Sequence, residues 1–244
     1  MGSIQSKCLN LYKAYLDGTL GNIVMPEDAH PSFEGYSLST KFAYFTLPMS
    51  LNYQRNSYKL WEAATKTFLD KDTNYVFDLL KVSEKNEDSI RDDLLRYRLA
   101  LQSNKHINTW YRISEGFSSL AKDIPNFFKT YEDDVLKIRE VIQKERKKSF
   151  PYLSGPKIFN YWLYIMERYC EVPLRNRDFI EIAPDTHVIQ ASIKLGVIQN
   201  TEKEMSREKI SGIWREVLKG SGVSPIDMHS PLWFWGRSKF EYQV

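Results

Sequence analysis

Lys157 and Asp185 are the residues of this chain whose types and surroundings best suit covalent chemistry. Lys157 stands in Leu153-Ser154-Gly155-Pro156-Lys157-Ile158, and Asp185 follows 28 positions later in Ala183-Pro184-Asp185-Thr186-His187-Val188. Each opens an expected helix. The first turn of a helix presents unpaired N–H groups and partial positive charge, which favours anions. An aspartate there is an ordinary cap, whereas a lysine is misplaced. An amine must lose its proton to act as a nucleophile, and partial burial or a helix N-terminus favours the neutral form, so Lys157 stands where an amine would be activated. An ionised Asp185 would take up a proton and stabilise positive charge developing beside it. Taken singly, Lys157 is a solvent lysine and Asp185 a cap; their spacing beside a Gly-Pro turn argues for a site.

The elements that position this pair are helical. The run from Pro156 to about residue 169 is apolar almost all round, as a helix buried between layers requires. Pro156 suits its first position and Gly155 the turn before it. Upstream, Tyr131 to Lys148 places Val135, Ile138, Val141 and Ile142 on one stripe. The two helices and their tight turn form a helix-hairpin-helix candidate, whose turn would aim backbone N–H groups outward to hold a phosphate. A loop from Glu171 to Ile182 then leads to Asp185, the expected N-cap of a helix ending at Gly196. Further helices are expected over 58–69, from Asp88 through Leu101, and from Ser206 to Gly220. Residues 32–48 are ambiguous, and no strand-turn-strand pattern of comparable quality appears, so the expected class is all-α.

These residues resemble the helix-hairpin-helix DNA glycosylases. That family has a hairpin ending in Gly-x-Lys, a buried helix, and a Pro-Asp-x-His type element opening the next helix, matched here by Gly155-Pro156-Lys157 and Pro184-Asp185-Thr186-His187. The likeness is closest to the archaeal 8-oxoguanine DNA glycosylase branch, through Lys157-Ile158-Phe159-Asn160-Tyr161 and Leu232-Trp233-Phe234-Trp235-Gly236-Arg237. It covers roughly 150–240, and more loosely the surroundings of Tyr53-Gln54 and Trp61. The helix-hairpin-helix and catalytic region would span about 131–200.

The resemblance implies two packed helical subdomains with a cleft between them. It implies base-excision repair on double-stranded DNA carrying a damaged base, 8-oxoguanine foremost, by a monomer working without metal or organic cofactor. Lys157 would form a Schiff base at C1′, with Asp185 as its electrostatic partner, and β-elimination would follow. An extruded base would stack on Trp233 or Trp61, since aromatic side chains commonly receive flipped bases. Gln54 would read a base edge. Ser154, Gly155, Arg175 and Arg177 would contact the DNA backbone. His229 stands four before Trp233, where the branch tends to have an acidic residue. His187 has no spaced partners that would make it a metal ligand, and packing is its simpler role. The hairpin also departs from the usual pair of glycines, having Ser154-Gly155. Two other functions remain open: an N-glycosidase of the same fold acting on a free nucleoside or nucleotide, and a non-catalytic helix-hairpin-helix module that binds DNA or a protein partner.

Composition bounds these readings. The 244 residues are 42% hydrophobic and 14% aromatic, with no Gly/Ser linker or Pro-rich tract, so the chain is expected to form a single compact unit over 1–244. A net charge of +3 permits a polyanion partner without demanding one. The densest basic run, Arg139, Lys144, Arg146, Lys147 and Lys148, reads most simply as the solvated end of a helix. Cys8 and Cys170 have neither the number nor the spacing for a disulfide framework or zinc site, which fits a reducing compartment, cytoplasmic, nucleoid-associated or nuclear. No apolar run reaches membrane-spanning length. The start Met1-Gly2-Ser3-Ile4-Gln5-Ser6-Lys7-Cys8 matches the loose myristoylation pattern, although Gly2-Ser3 is a common beginning.

Overall fold

A computed structural model describes residues 2–21, 24–182 and 186–244. In chain order the α-helices are α1 (Gly2–Leu16), α2 (Leu38–Ser50), α3 (Ser57–Leu69), α4 (Leu79–Ser83), α5 (Glu87–Arg96), α6 (Lys105–Ala121), α7 (Ile124–Thr130), α8 (Val135–Glu140), α9 (Pro156–Cys170), α10 (Thr186–Leu195), α11 (Arg207–Leu218) and α12 (His229–Arg237). The class is all-α: among the described residues no strand forms, apart from an isolated parallel bridge between Asp134 and Arg175.

Short polar residues start most of these helices. Ser37, Asn56, Asp78, Asn86, Asp123, Asp134 and Ser206 each accept a hydrogen bond from a backbone N–H in the first turn that follows. Such caps satisfy donors that the helix leaves orphaned, and each contributes about 1 kcal/mol.

Two expected boundaries shift. The helix anticipated over 131–148 begins only at Val135, because Glu132 and Asp133 both take left-handed φ values (57° and 52°) and Asp134 then caps. It continues beyond α8 as a π-helical turn, Val141–Glu145, in which Arg146 N–H reaches Val141 O at 2.8 Å. The helix anticipated from Asp88 to Leu101 is capped by Asn86 and stops at Arg96, where Arg98 turns left-handed at φ 61°.

The sequence offers no linker, yet the chain gathers into two compact units, Val24–Arg175 and a second made of Met1–Ile23 with Asn176–Val244. Continuous apolar and aromatic content hides such a division from composition.

The first unit, α2 to α9, is organised around aromatic side chains. Phe33, Tyr44, Phe45, Phe68 and Phe77 meet mostly edge-on or tilted at centroid distances of 5.2 to 5.6 Å, the geometry aromatic quadrupoles prefer. Trp110 donates from Nε1 to Val76 O at 2.9 Å, and Trp162 of α9 donates to Thr46 Oγ1 of α2 at 2.8 Å. Buried indole N–H groups thereby find partners.

In the second unit, α1 packs against α10, α11 and α12. Its Cys8 and Leu11 enter a core with Val188, Ala191, Leu195, Trp214, Leu232 and Trp235. Gln5 Nε2 donates to Val217 O at 2.8 Å and Lys219 O at 3.1 Å, satisfying carbonyls at the end of α11. Both cysteines are free, and burial pushes each thiol up to about 12, which makes them inert side chains of the core. Among the described residues no helix is long and apolar enough to cross a membrane.

Candidate functional site

The hairpin before Lys157 is closed by its own backbone. Leu153 N–H donates to Pro151 O at 2.7 Å, Ser154 N–H to Phe150 O at 2.9 Å, and Gly155 N–H to Tyr152 O at 2.8 Å. Gln143 Nε2 adds a bond to Ser154 O at 3.2 Å, tying the turn to the π-helical turn after α8. This corrects the expectation that Ser154 and Gly155 aim free amides at a phosphate: their N–H groups are satisfied inside the turn, and Ser154 is buried. Donors remain one step later. Gly155 has no side chain with which to cap α9, so the first-turn amides of Lys157 and Ile158 are available to an anion. The left-handed position is Tyr152 (φ 60°), whereas Gly155 is extended (φ −69°, ψ 135°). Gly155 is needed for closeness instead, since a Cβ there would sit 3.0 Å from Tyr152 O.

Lys157 is exposed on the first turn of α9, and among the described residues no hydrogen bond or ion pair holds it. The partial burial expected for its amine is therefore absent. Tyr161, Tyr164 and Arg168 follow on the same face at helical spacing. Tyr161 donates its phenol hydrogen to Glu27, and Tyr169 donates to Asp28 Oδ1 at 2.5 Å. Glu27 is only 2% exposed, and burial pushes its carboxyl up to about 7 against the opposing pull of the Tyr161 hydrogen bond. A carboxyl that changes charge near neutrality, bonded to the tyrosine one helical turn after Lys157, is a chemically unusual group of this unit. No pattern in Pro26-Glu27-Asp28 distinguishes it from a surface turn; only the fold buries it.

The other residues expected in this unit divide. Trp61 is 2% exposed and lies between Tyr44 and Phe45, with ring centroids 5.8 and 5.9 Å away, so it is a core aromatic and offers no free face to a base. Gln54 is exposed, with a left-handed backbone (φ 50°), at the rim of a cavity of about 140 Å³. Arg175 is exposed and bonded to Glu132 at 3.0 Å.

The second unit holds the remaining candidates. Ala183, Pro184 and Asp185 lie outside the described residues, so the expected cap at Asp185 carries no geometry; α10 begins directly after it at Thr186. The start of α10 presses on α12. A Cβ on Gly236 would fall 2.9 Å from His187 Cβ and 3.2 Å from His187 O, which gives His187 a packing role. His229 and Trp233 are one turn apart on α12. Of the three clustered aromatics, Phe234 and Trp235 are buried while Trp233 is partly exposed, with the Arg237 guanidinium 4.5 Å over its ring and Phe234 edge-on at 5.0 Å. Arg177 forms a two-pronged pair with Asp227 at 2.5 and 2.7 Å, so its charge is neutralised within the unit and is not presented to a phosphate backbone.

Against models of known families, curated proteins and solved structures, the chain matches none. Among the described residues no three His, Cys, Asp or Glu side chains are arranged to hold a metal ion.

The crossing at Gly236 gives a direct test of how α10 is held. Gly236→Ala places a methyl against backbone atoms that cannot rotate away. It should cost about 1–3 kcal/mol by overpacking. Urea titration checks this, and a variant as stable as the parent would show that α10 and α12 do not cross so closely.

Proposed function

We propose that the chain is a DNA base-excision N-glycosylase with associated lyase activity, acting on an oxidised purine such as 8-oxoguanine. The observation that carries the reading is Lys157: an amine at the uncapped N-terminus of α9, exposed and without a partner among the described residues, behind a hairpin ending in Gly-Pro-Lys. The Pro184-Asp185-Thr186-His187 sequence and the partly exposed Trp233 support it.

In this reading Lys157 Nζ, as the free amine, attacks C1′ of the damaged nucleotide. The glycosidic bond breaks, and the base leaves with the bonding pair and acquires a proton. Asp185 stabilises positive charge on the sugar and receives the proton that the amine sheds. Ring opening gives the Schiff base, loss of a C2′ proton expels the 3′ phosphate, and water returns Lys157 to its free form.

Borohydride trapping tests it. With a duplex containing 8-oxoguanine, the full chain should yield a covalent protein–DNA adduct that vanishes in Lys157→Gln and survives in Lys148→Gln. No adduct across oxidised, alkylated and deaminated bases would reject the lyase mechanism.

A second reading, N-glycosidic cleavage in a free nucleoside or nucleotide, is favoured by the small net charge and by the engagement of Arg175 and Arg177 with Glu132 and Asp227. It predicts base release from mononucleotides with weak salt dependence, whereas duplex binding that neutralises several phosphates weakens steeply with salt. A module that binds DNA without cleaving it would show that salt dependence and no adduct.

A further inference from the structure

The cavity beneath Gln54 lies on α6 and the hairpin, apart from the Lys157 amine. Its walls come from the end of α2 and the loop after it (Tyr53, Gln54, Arg55), the start of α6 (Lys105, His106), and Tyr152 of the turn. Two of these residues are permanent cations, and no Asp or Glu is among the described residues lining it.

The cations are held in place. Arg55 donates to Leu99 O at 2.7 Å and Arg98 O at 3.2 Å, which fixes its guanidinium on the loop before α6. That guanidinium is half-buried, and desolvation, with a smaller contribution from the neighbouring Arg98, pulls it down to about 10. Lys105 Nζ stands 5.2 Å from the centre of the Tyr152 ring. His106 Nδ1 accepts Leu101 N–H at 3.1 Å, which leaves the ring hydrogen on Nε2 and makes the imidazole a donor. Asn104, the residue placed to cap α6, is instead bonded to Arg91 Nη1 at 3.0 Å, so this 17-residue helix starts without a side-chain cap, with His106 N–H taken by Gln102 O at 2.9 Å. Guanidinium, ammonium and imidazole N–H, with no carboxylate among the described lining residues, form a cationic surface complementary to a phosphate. Beside it Tyr53 stacks on Tyr152 at 5.7 Å and is itself exposed, a flat face on which a base attached to that phosphate can lie.

We infer that this cavity is a nucleotide-phosphate site, with Arg55 and Lys105 as its cationic walls and Tyr53 as the platform for the adjoining base. The phosphate is the diester of a nucleic-acid strand or the monoester of a free nucleotide; the chemistry recognised is the same. The inference does not depend on Lys157 being a nucleophile.

Calorimetric titration of the full chain tests it with thymidine 5′-monophosphate, inorganic phosphate, thymidine, and a short single-stranded oligothymidylate lacking terminal phosphate. Thymidine 5′-monophosphate or the oligonucleotide should bind, thymidine should bind at least ~10-fold more weakly, and Lys105→Gln should weaken the phosphate-bearing probe roughly 10-fold, with Lys105→Arg restoring most of it. Lys105 is exposed, so these variants fold; Arg55→Gln, which also loses loop contacts, is secondary. Displacement of the oligonucleotide by the monophosphate or by inorganic phosphate assigns the site to free nucleotides, and failure to displace it assigns the site to a strand. Equal binding of thymidine and its monophosphate, unchanged affinities in Lys105→Gln and Lys105→Glu, or no binding by any probe would overturn the inference. Borohydride adducts scored on the same samples report on Lys157 alone, so either idea can fail without the other.

Discussion

Replacing Trp162 with alanine is expected to cost about 3–5 kcal/mol, the range for deleting a fully buried aromatic side chain. Trp162 is 0% exposed on α9, with Phe128, Phe159 and Phe117 at centroid distances of 5.3, 6.0 and 6.1 Å. Its N–H also reaches Thr46 Oγ1 at 2.8 Å, and Thr46 in turn donates to Met166 Sδ at 3.7 Å, a buried polar chain joining α2 to α9. Alanine leaves both a cavity and a hydroxyl stripped of its donor. Phenylalanine fills most of the volume and still strands Thr46, so Trp162→Phe should cost about 1–3 kcal/mol. Guanidinium unfolding followed by far-UV circular dichroism separates the two. A loss under about 1 kcal/mol for Trp162→Ala would mean that α9 is not anchored through this side chain.

Glu27→Gln should gain stability over the parent as pH rises. The folded chain holds a proton on Glu27 up to about pH 7, while the unfolded chain releases it near 4.5. Between those values the folded state binds more protons than the unfolded state, so stability falls as pH rises through this window and levels off above it. Burial is the main cause and the negative charge of Asp28 adds to it, while the Tyr161 hydrogen bond and Arg168 oppose it. Glutamine keeps an acceptor for Tyr161 and removes the titration. Relative to the parent it should gain up to about 3 kcal/mol above pH 7 and lose the advantage below pH 5. Chemical denaturation at a series of pH values measures the difference directly; parallel stability curves for the two proteins would show that Glu27 is not a buried titrating group.

How much of this was legible in the sequence depends on the physical origin of each element. The start of α9 could be read because proline at the first helical position and glycine before it act locally. Ser206 likewise marks α11, accepting from Lys209 N–H. By contrast α2 is buried from Phe42 to Ser50, so it has no polar face to generate a helical period, and its Phe, Tyr and Thr content mimics a strand. The lack of a side-chain cap on α6 has no local sign, since Asn104 is diverted to Arg91 by a tertiary contact.

The candidate site shows the same split. The stripe that reveals α3 also turns Trp61 inward, and so argues against the base platform suggested by resemblance. Arg177 looked free for a phosphate because its partner Asp227 is 50 positions away, a pairing that no local pattern announces. Glu27 gave no sign at all, since desolvation is a property of the assembled fold.

The unit that joins α1 to α10, α11 and α12 imposes an order on synthesis. Residues 24–175 make a unit that is contiguous in sequence, so all of its helices are present once residue 175 has emerged. Cys8 and Leu11 must wait, with an apolar stripe uncovered, until Trp214, Leu232 and Trp235 have been made some 200 residues later. Closing so long a loop is entropically slow, which makes this stage the most exposed to aggregation or chaperone capture. A nascent chain halted before α12 would leave α1 without Leu232 and Trp235, two of the side chains that cover its apolar stripe.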